Sequence, residues 1–303
     1  MSYEQRIGDW IKDIKNISKI TKNLPILPSP PDSRDYTEPV ISSSLLPDKV
    51  KLETSPLVLN QGQTPFCGGA SGAGMANGYY HNQDIMPDKG FSMTFIYWLS
   101  KKYDGIPEQK GTFPRTICKI MSKYGCAPEQ HQPYSTENNP KINPIAFELA
   151  KRYKVNTYRR IMTIHEIKTA LALGHYVLMA TFVTGDNWSS NNGGWITRPS
   201  GSLYGGHATF LYGYDDNLIN KLHGHKGYFL GQNSWGSNWG DYGKYYLPYD
   251  YFNFNLPQTG RSKFIEAWSL EFEPVKTINR KPKDINPWYT YRELHNEKRR
   301  LWR

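Results

Sequence analysis

Three cysteines in 303 residues are too few for a disulfide framework, and their odd number leaves at least one free thiol. A reducing compartment suits such a chain. No stretch reaches the ~18 consecutive apolar residues that a membrane-spanning helix needs, so no transmembrane segment is expected. The start, Met1-Ser2-Tyr3-Glu4-Gln5-Arg6, leads into mixed charge rather than an apolar run. That predicts no secretory signal peptide and a cytoplasmic protein, with a phage- or virion-associated setting also compatible. Internal repeats and low-complexity stretches are missing too.

Charge is also scarce where it would matter for nucleic acid. The net charge is +10, but residues 276–303 carry +6 of it and residues 1–23 carry +2. The body at 24–275 keeps only +2, with no stripe of cations to track phosphates, so no nucleic-acid binding is expected from it. The basic C-terminal tail is a candidate docking handle.

Aromatic residues are plentiful, at 14%, which with a 38% apolar fraction indicates a packed globular protein. Ile7, Trp10, Ile11, Ile14, Ile17 and Ile20 recur at helical spacing and predict an amphipathic N-terminal helix. Its plain role is packing on the protein's own body. Leu24-Pro25, Pro28, Pro30-Pro31 and Pro39 then predict an extended, restrained connector.

Helices are expected at 67–81, 92–103, 114–124 and 144–153. From about 157 the pattern turns to strands, at 158–164, 176–183, 208–214, 228–233, 244–248 and 265–272, interrupted by a short helix at 165–173. Helices first and strands second imply an α+β protein of two lobes with a cleft between them. The expected domains are an N-terminal segment 1–39, a catalytic domain 40–275 and a basic tail 276–303. Within the middle one, a helical lobe spans about 60–155 and a β lobe about 156–275.

Three segments carry chemistry. In Asn60-Gln61-Gly62-Gln63-Thr64-Pro65-Phe66-Cys67-Gly68-Gly69-Ala70 a polar loop delivers a cysteine to a run of small residues. If that run is a helix, Cys67 sits at its N-terminus, where unpaired amides favour a thiolate. Glycines at 68, 69, 72, 74 and 78 would each cost about 0.8–1 kcal/mol in an exposed helix, so this one must be buried and closely packed. In Gly205-Gly206-His207-Ala208-Thr209 a histidine enters a strand after two glycines that leave space around its ring. In Gly231-Gln232-Asn233-Ser234-Trp235-Gly236-Ser237-Asn238-Trp239-Gly240 an asparagine ends a strand before two tryptophans. The bland alternatives are an inert buried cysteine and a tryptophan-rich turn filling the core.

Together the three segments resemble the papain family of cysteine peptidases, in the order Cys, His, Asn. The six-residue step from Gln61 to Cys67 and the run Asn233-Ser234-Trp235-Gly236 with Trp239-Gly240 carry the likeness, which covers about residues 40–272. The stretches at 92–97 and 111–115, with Tyr124-Gly125 and Pro133-Tyr134, look like bacterial members with short N-terminal segments. Thr64 replaces a cysteine that in many members forms a disulfide, Gly68 stands where a tryptophan commonly follows the nucleophile, and extra length falls in the loop 217–226.

The resemblance implies a papain-like fold, a helical lobe followed by an antiparallel β-barrel-like lobe. It implies a cysteine endopeptidase acting through a thioester acyl-enzyme on extended polypeptide, without metal or organic cofactor. Cys67 would be the nucleophile, His207 its base and Asn233 the orienter, with Gln61 and the Cys67 amide as oxyanion donors. Trp235 would shield the His207–Asn233 bond. Gly111 and Trp239 would contact substrate, the first through its backbone and the second as a wall on the leaving-group side. Two rival readings are a catalytically silent scaffold and a Cys–His acyl transferase or cell-wall amidase. The complete set of four residues argues against the first and the Asn-Ser-Trp-Gly segment against the second.

His223-Gly224-His225 near Asp215 and Asp216 reads as a solvated loop, and Cys118 with Cys126 as buried thiols rather than a zinc site. Asn187-Trp188-Ser189 is a sequon without meaning unless secreted. The Pro-rich connector has the extended shape a peptidase cleft binds, which raises the expectation that it restrains activity.

Overall fold

The computed structural model describes residues 3–20, 25–106, 109–185, 187–189, 192–197, 202–220, 224–253, 255–256, 261–262 and 264–275. Residues Met1–Glu273 form one compact unit and Pro274–Arg303 a second. The basic tail expected over 276–303 lies outside the described residues.

The helices are α1 (Tyr3–Ile20), α2 (Cys67–His81), α3 (Met93–Tyr103), α4 (Pro114–Lys123), α5 (Pro144–Ala150) and α6 (Ile164–Ala172). Local signals set their limits. Ser92 caps α3 by accepting the Phe95 amide, and Pro114 opens α4, where its missing N–H costs nothing. Thr163 and Glu166 form a capping box on α6. That box ends the strand expected over 158–164 early, so β2 runs Val155–Ile161.

β2 belongs to a seven-stranded antiparallel sheet with β1 (Lys49–Lys51), β3 (Tyr176–Thr184), β4 (Leu203–Ile219), β5 (Lys226–Gln232), β6 (Lys244–Pro248) and β9 (Phe264–Phe272). Its order is β2-β9-β3-β4-β5-β6, with β1 on β4; β7 (Asn255–Leu256) and β8 (Arg261–Ser262) pair separately. The barrel-like closure expected of this lobe takes the form of an open sheet, because both edges find other partners. The connector covers β2, where Thr37 bridges Arg160, and residues 194–196 cover β6 through Trp195 and Tyr246.

The sheet is buried on both faces, and β3 is buried at all nine positions. Leu211 points into a core with Val177, Met179, Phe229, Tyr245 and α6, whereas Phe210 points at α2. The glycine-rich α2 passes between the lobes as its composition requires. A Cβ at Gly69 would lie 2.5 Å from the Met93 carbonyl oxygen of α3, and one at Gly74 would lie 2.6 Å from the Phe210 ring of β4. No larger residue permits this approach from both sides.

Gly69→Ala is therefore expected to destabilise the protein by about 3 kcal/mol in urea denaturation. Gly8→Ala on the exposed α1, where nothing lies within 4 Å of the new methyl, should be neutral or stabilising by up to about 1 kcal/mol. Equal effects at the two positions would refute the packing account of α2.

Candidate active site

The site joins the start of α2 to the interior strands β4 and β5 of the sheet. Cys67 is the first residue of α2, and no side chain caps that end. Its sulfur accepts from its own amide and that of Gly68, and from the amide of Ala208 across the lobes. Ala208 follows His207 in β4, so the backbone next to His207 lies at the Cys67 thiol.

The imidazole's state follows from its partners. His207 Nε2 lies 2.8 Å from Asn233 Oδ1, and the Ser234 amide donates to the same oxygen at 2.8 Å. A backbone N–H can only donate, so this atom must be the amide oxygen and His207 Nε2 must carry its proton. Nδ1 then holds the lone pair and is the atom able to take a proton. Asn233 Nδ2 is buried with no hydrogen-bond partner among the described residues.

Ser234 also reaches the helical lobe. Its Oγ donates to Gln61 Oε1 at 2.6 Å, and its carbonyl accepts the Gln61 amide at 2.9 Å. Gln61 Nε2 donates one hydrogen to the Thr64 carbonyl at 2.8 Å and has a second to offer. Trp235 stacks on the His207 ring at 4.7 Å and 26°.

Burial dominates both titrating groups. It pushes the Cys67 thiol up to about 12, against the three amides, and His207 down to about 4, against the Asn233 hydrogen bond. Burial thus opposes the thiolate that the helix terminus favours. The cover is the connector. Ile26 bridges Thr112 in parallel, and the Leu27 amide donates to the Thr112 carbonyl at 2.9 Å. Space that Gly206 leaves beside His207 is filled: a Cβ there would lie 2.4 Å from the Ile26 carbonyl oxygen. The Ile26 side chain also reaches the Gly68 position, 3.4 Å from a Cβ built there.

The model of papain-family cysteine proteases matches residues 101–253. The chain belongs to that family. It is a cysteine-type peptidase. An uncharacterised peptidase C1-like protein of Acanthamoeba polyphaga mimivirus is 28% identical over 312 residues, 89% of this chain and 94% of its own. Xylellain, a cysteine protease from Xylella fastidiosa, superposes with a TM-score of 0.67 at 27% identity, covering 82% of this chain and 96% of its own. Bromelain from Ananas comosus shares the fold at a TM-score of 0.54 and 17% identity, over 75% of this chain and all of its own.

Other residues of this papain-family chain fall as follows. Gly111 is buried beside Thr112, and its carbonyl accepts from Lys101 Nζ at 2.8 Å. Trp239, expected as a wall on the leaving-group side, is nearly enclosed; it meets Trp235 edge-on at 5.3 Å and stacks on Trp188 at 6.0 Å. Trp188 is the residue sequence reasoning missed. It stands edge-on to His207 at 5.8 Å and donates to the Tyr251 hydroxyl at 3.3 Å. Its polar surroundings at 185–193 give no sign of this. Cys118 and Cys126 are buried with their thiols pushed well up by that burial. His225 Nδ1 lies 3.0 Å from Asp250 Oδ2, and His223 is outside the described residues.

The His207 shift has a sign in stability. An unfolded imidazole binds its proton near pH 6.5 and the buried one near 4, so the unfolded state gains as pH falls between them. Stability in urea should drop by on the order of 3 kcal/mol from this group over that window. His207→Gln should remove that part of the pH dependence, and an unchanged profile would contradict the account.

Proposed function

We propose that the chain is an endopeptidase that hydrolyses extended polypeptide through a thioester acyl-enzyme, held at rest by its own connector. The observation that carries this is the fixed tautomer of His207, with its basic Nδ1 left for the thiol and Cys67 across the lobe boundary. When the connector leaves the cleft, water and substrate reach the pair. His207 takes the Cys67 proton, and the thiolate attacks the scissile carbonyl carbon. The second Gln61 Nε2 hydrogen and the Cys67 amide stabilise the oxyanion, at roughly 3 kcal/mol per donor. Collapse of the tetrahedral intermediate expels the amine, which leaves with the proton from His207, and water then hydrolyses the thioester. Asn233 keeps the ring oriented without changing charge.

Graded losses test the assignment. Cys67→Ala and His207→Ala should abolish turnover, whereas Asn233→Ala should leave a slow enzyme. Gln61→Ala should lower kcat by about 10²-fold with little change in KM. An unaltered kcat in folded Gln61→Ala would remove that donor from the site.

The restraint is testable in the full chain. Ile26→Asp places a carboxylate in the apolar contact with Gly68 and should drive the connector out. Peptide hydrolysis should rise, and iodoacetamide should then label Cys67 far faster than Cys118 or Cys126, while all three react slowly in the parent. Equal Cys67 labelling in both proteins would rule the restraint out.

A further inference from the structure

The backbone edge at Gly111–Thr112 has no covalent tie, since all three cysteines are free. What holds it comes from one face of α3. Tyr97 and Lys101, four residues apart, lie on that face. The Tyr97 hydroxyl donates to the Lys110 carbonyl, and the Tyr97 ring packs on Phe66 with centroids 4.4 Å apart. Tyr97 also borders Gly69 of α2, where a Cβ would lie 3.1 Å from its amide nitrogen. One turn on, Lys101 Nζ donates to the Gly111 carbonyl at 2.8 Å, the Ile106 carbonyl at 2.8 Å and Asp104 Oδ2 at 2.9 Å. Its side chain is 5% exposed and that of Asp104 is fully enclosed.

An ammonium has three hydrogens, and here all three are committed to acceptors of one loop. A buried lysine is rare unless paired, and this one is paired at a site of no evident use to the core. Its use lies one residue further. Thr112 is where an extended chain already pairs, through Ile26 and Leu27. Fixing the Gly111 carbonyl fixes the plane of the Gly111–Thr112 peptide group, and hence the direction in which the edge meets an incoming strand.

We propose that Lys101 is the positioning residue for peptide binding at this edge: its ammonium holds Gly111–Thr112 against α3. The proposal rests on the peptidase reading and deepens it. The same edge receives the connector at rest and substrate after release, so losing Lys101 must weaken both.

Two full-chain backgrounds test this. In the parent, Lys101→Met should raise the rate of Cys67 alkylation several-fold, because the connector pairs less tightly. In Ile26→Asp, Lys101→Met should raise KM for a peptide substrate by about tenfold, the worth of one backbone hydrogen bond, with kcat within about twofold. Asp104→Asn, which keeps the loop's shape and removes the counter-charge, should move both readouts the same way by less. It decides the matter alone if Lys101→Met does not fold. An unchanged alkylation rate with unchanged KM overturns the proposal, as does a fall in kcat at constant KM, the mark of a general structural defect. If Ile26→Asp turns over no peptide, the peptidase reading fails, and the alkylation arm still decides the role of Lys101.

Discussion

The pairing of Gln61 with Ser234 is the contact on which the site depends. Ser234 donates its hydroxyl to the Gln61 side chain, accepts the Gln61 amide and donates its own amide to Asn233 Oδ1. One residue thereby ties Gln61 of the helical lobe to Asn233 of the β lobe, the hydrogen-bond partner of His207. These bonds are buried, where a satisfied polar network is strong and a broken one leaves costly unpaired groups. The lobes cannot slide against each other without breaking it. α2 adds the complementary constraint of shape, since Gly69 and Gly74 let it approach α3 and β4 closely enough for Cys67 to meet the Ala208 amide.

Once that frame is rigid, solvation decides the protonation state of the pair. A thiolate and an imidazolium attract each other, but each loses hydration when water is excluded, and here the burial outweighs three amides on Cys67 and the Asn233 bond on His207. In the proposed reading the connector would therefore do more than block the cleft: by keeping water away it would also oppose formation of the thiolate–imidazolium pair.

Much of this was legible in the sequence. The helix at 67–81 and the strand at 244–248 coincide with α2 and β6, because the first is bounded by a loop of Gly, Thr and Pro and the second by glycine. Cys67 opens α2 and Asn233 follows the last residue of β5, as loop-to-helix and strand-end signals in the sequence suggest, whereas His207 lies inside β4, which begins at Leu203. β1 was missed, since three residues of mixed character show no period and gain their strand only by pairing with β4. Trp188 was missed for a related reason. Its meaning comes from Trp239, Tyr251 and His207, which are 19 to 63 residues away in the chain and meet only when the sheet closes over them. The same limit hid Lys101, whose acceptors are backbone carbonyls and thus carry no sequence signal.

The connector's anchoring is graded along its length, and the grading suits a removable cover. Beyond the cleft it is tied by charge and backbone. The Ser29 amide donates to Glu266, Arg115 reaches the Pro30 carbonyl at 2.6 Å and Asp35 at 3.1 Å, and buried Glu38 lies among Ser269, His175 and the Arg160 carbonyl. Before it, Trp10 of α1 donates to the Pro28 carbonyl at 2.9 Å. Over the site itself, among the described residues, Ile26 and Leu27 are buried, and the Leu27 amide donates to the Thr112 carbonyl. Two such side chains contribute about 3–6 kcal/mol of apolar burial, reduced by the entropy regained when a short tethered stretch lifts. If the connector acts as the proposed restraint, a net hold of about 3 kcal/mol would leave the cleft open roughly 1% of the time with the distal anchors closed, so release of the site would not require release of the whole segment.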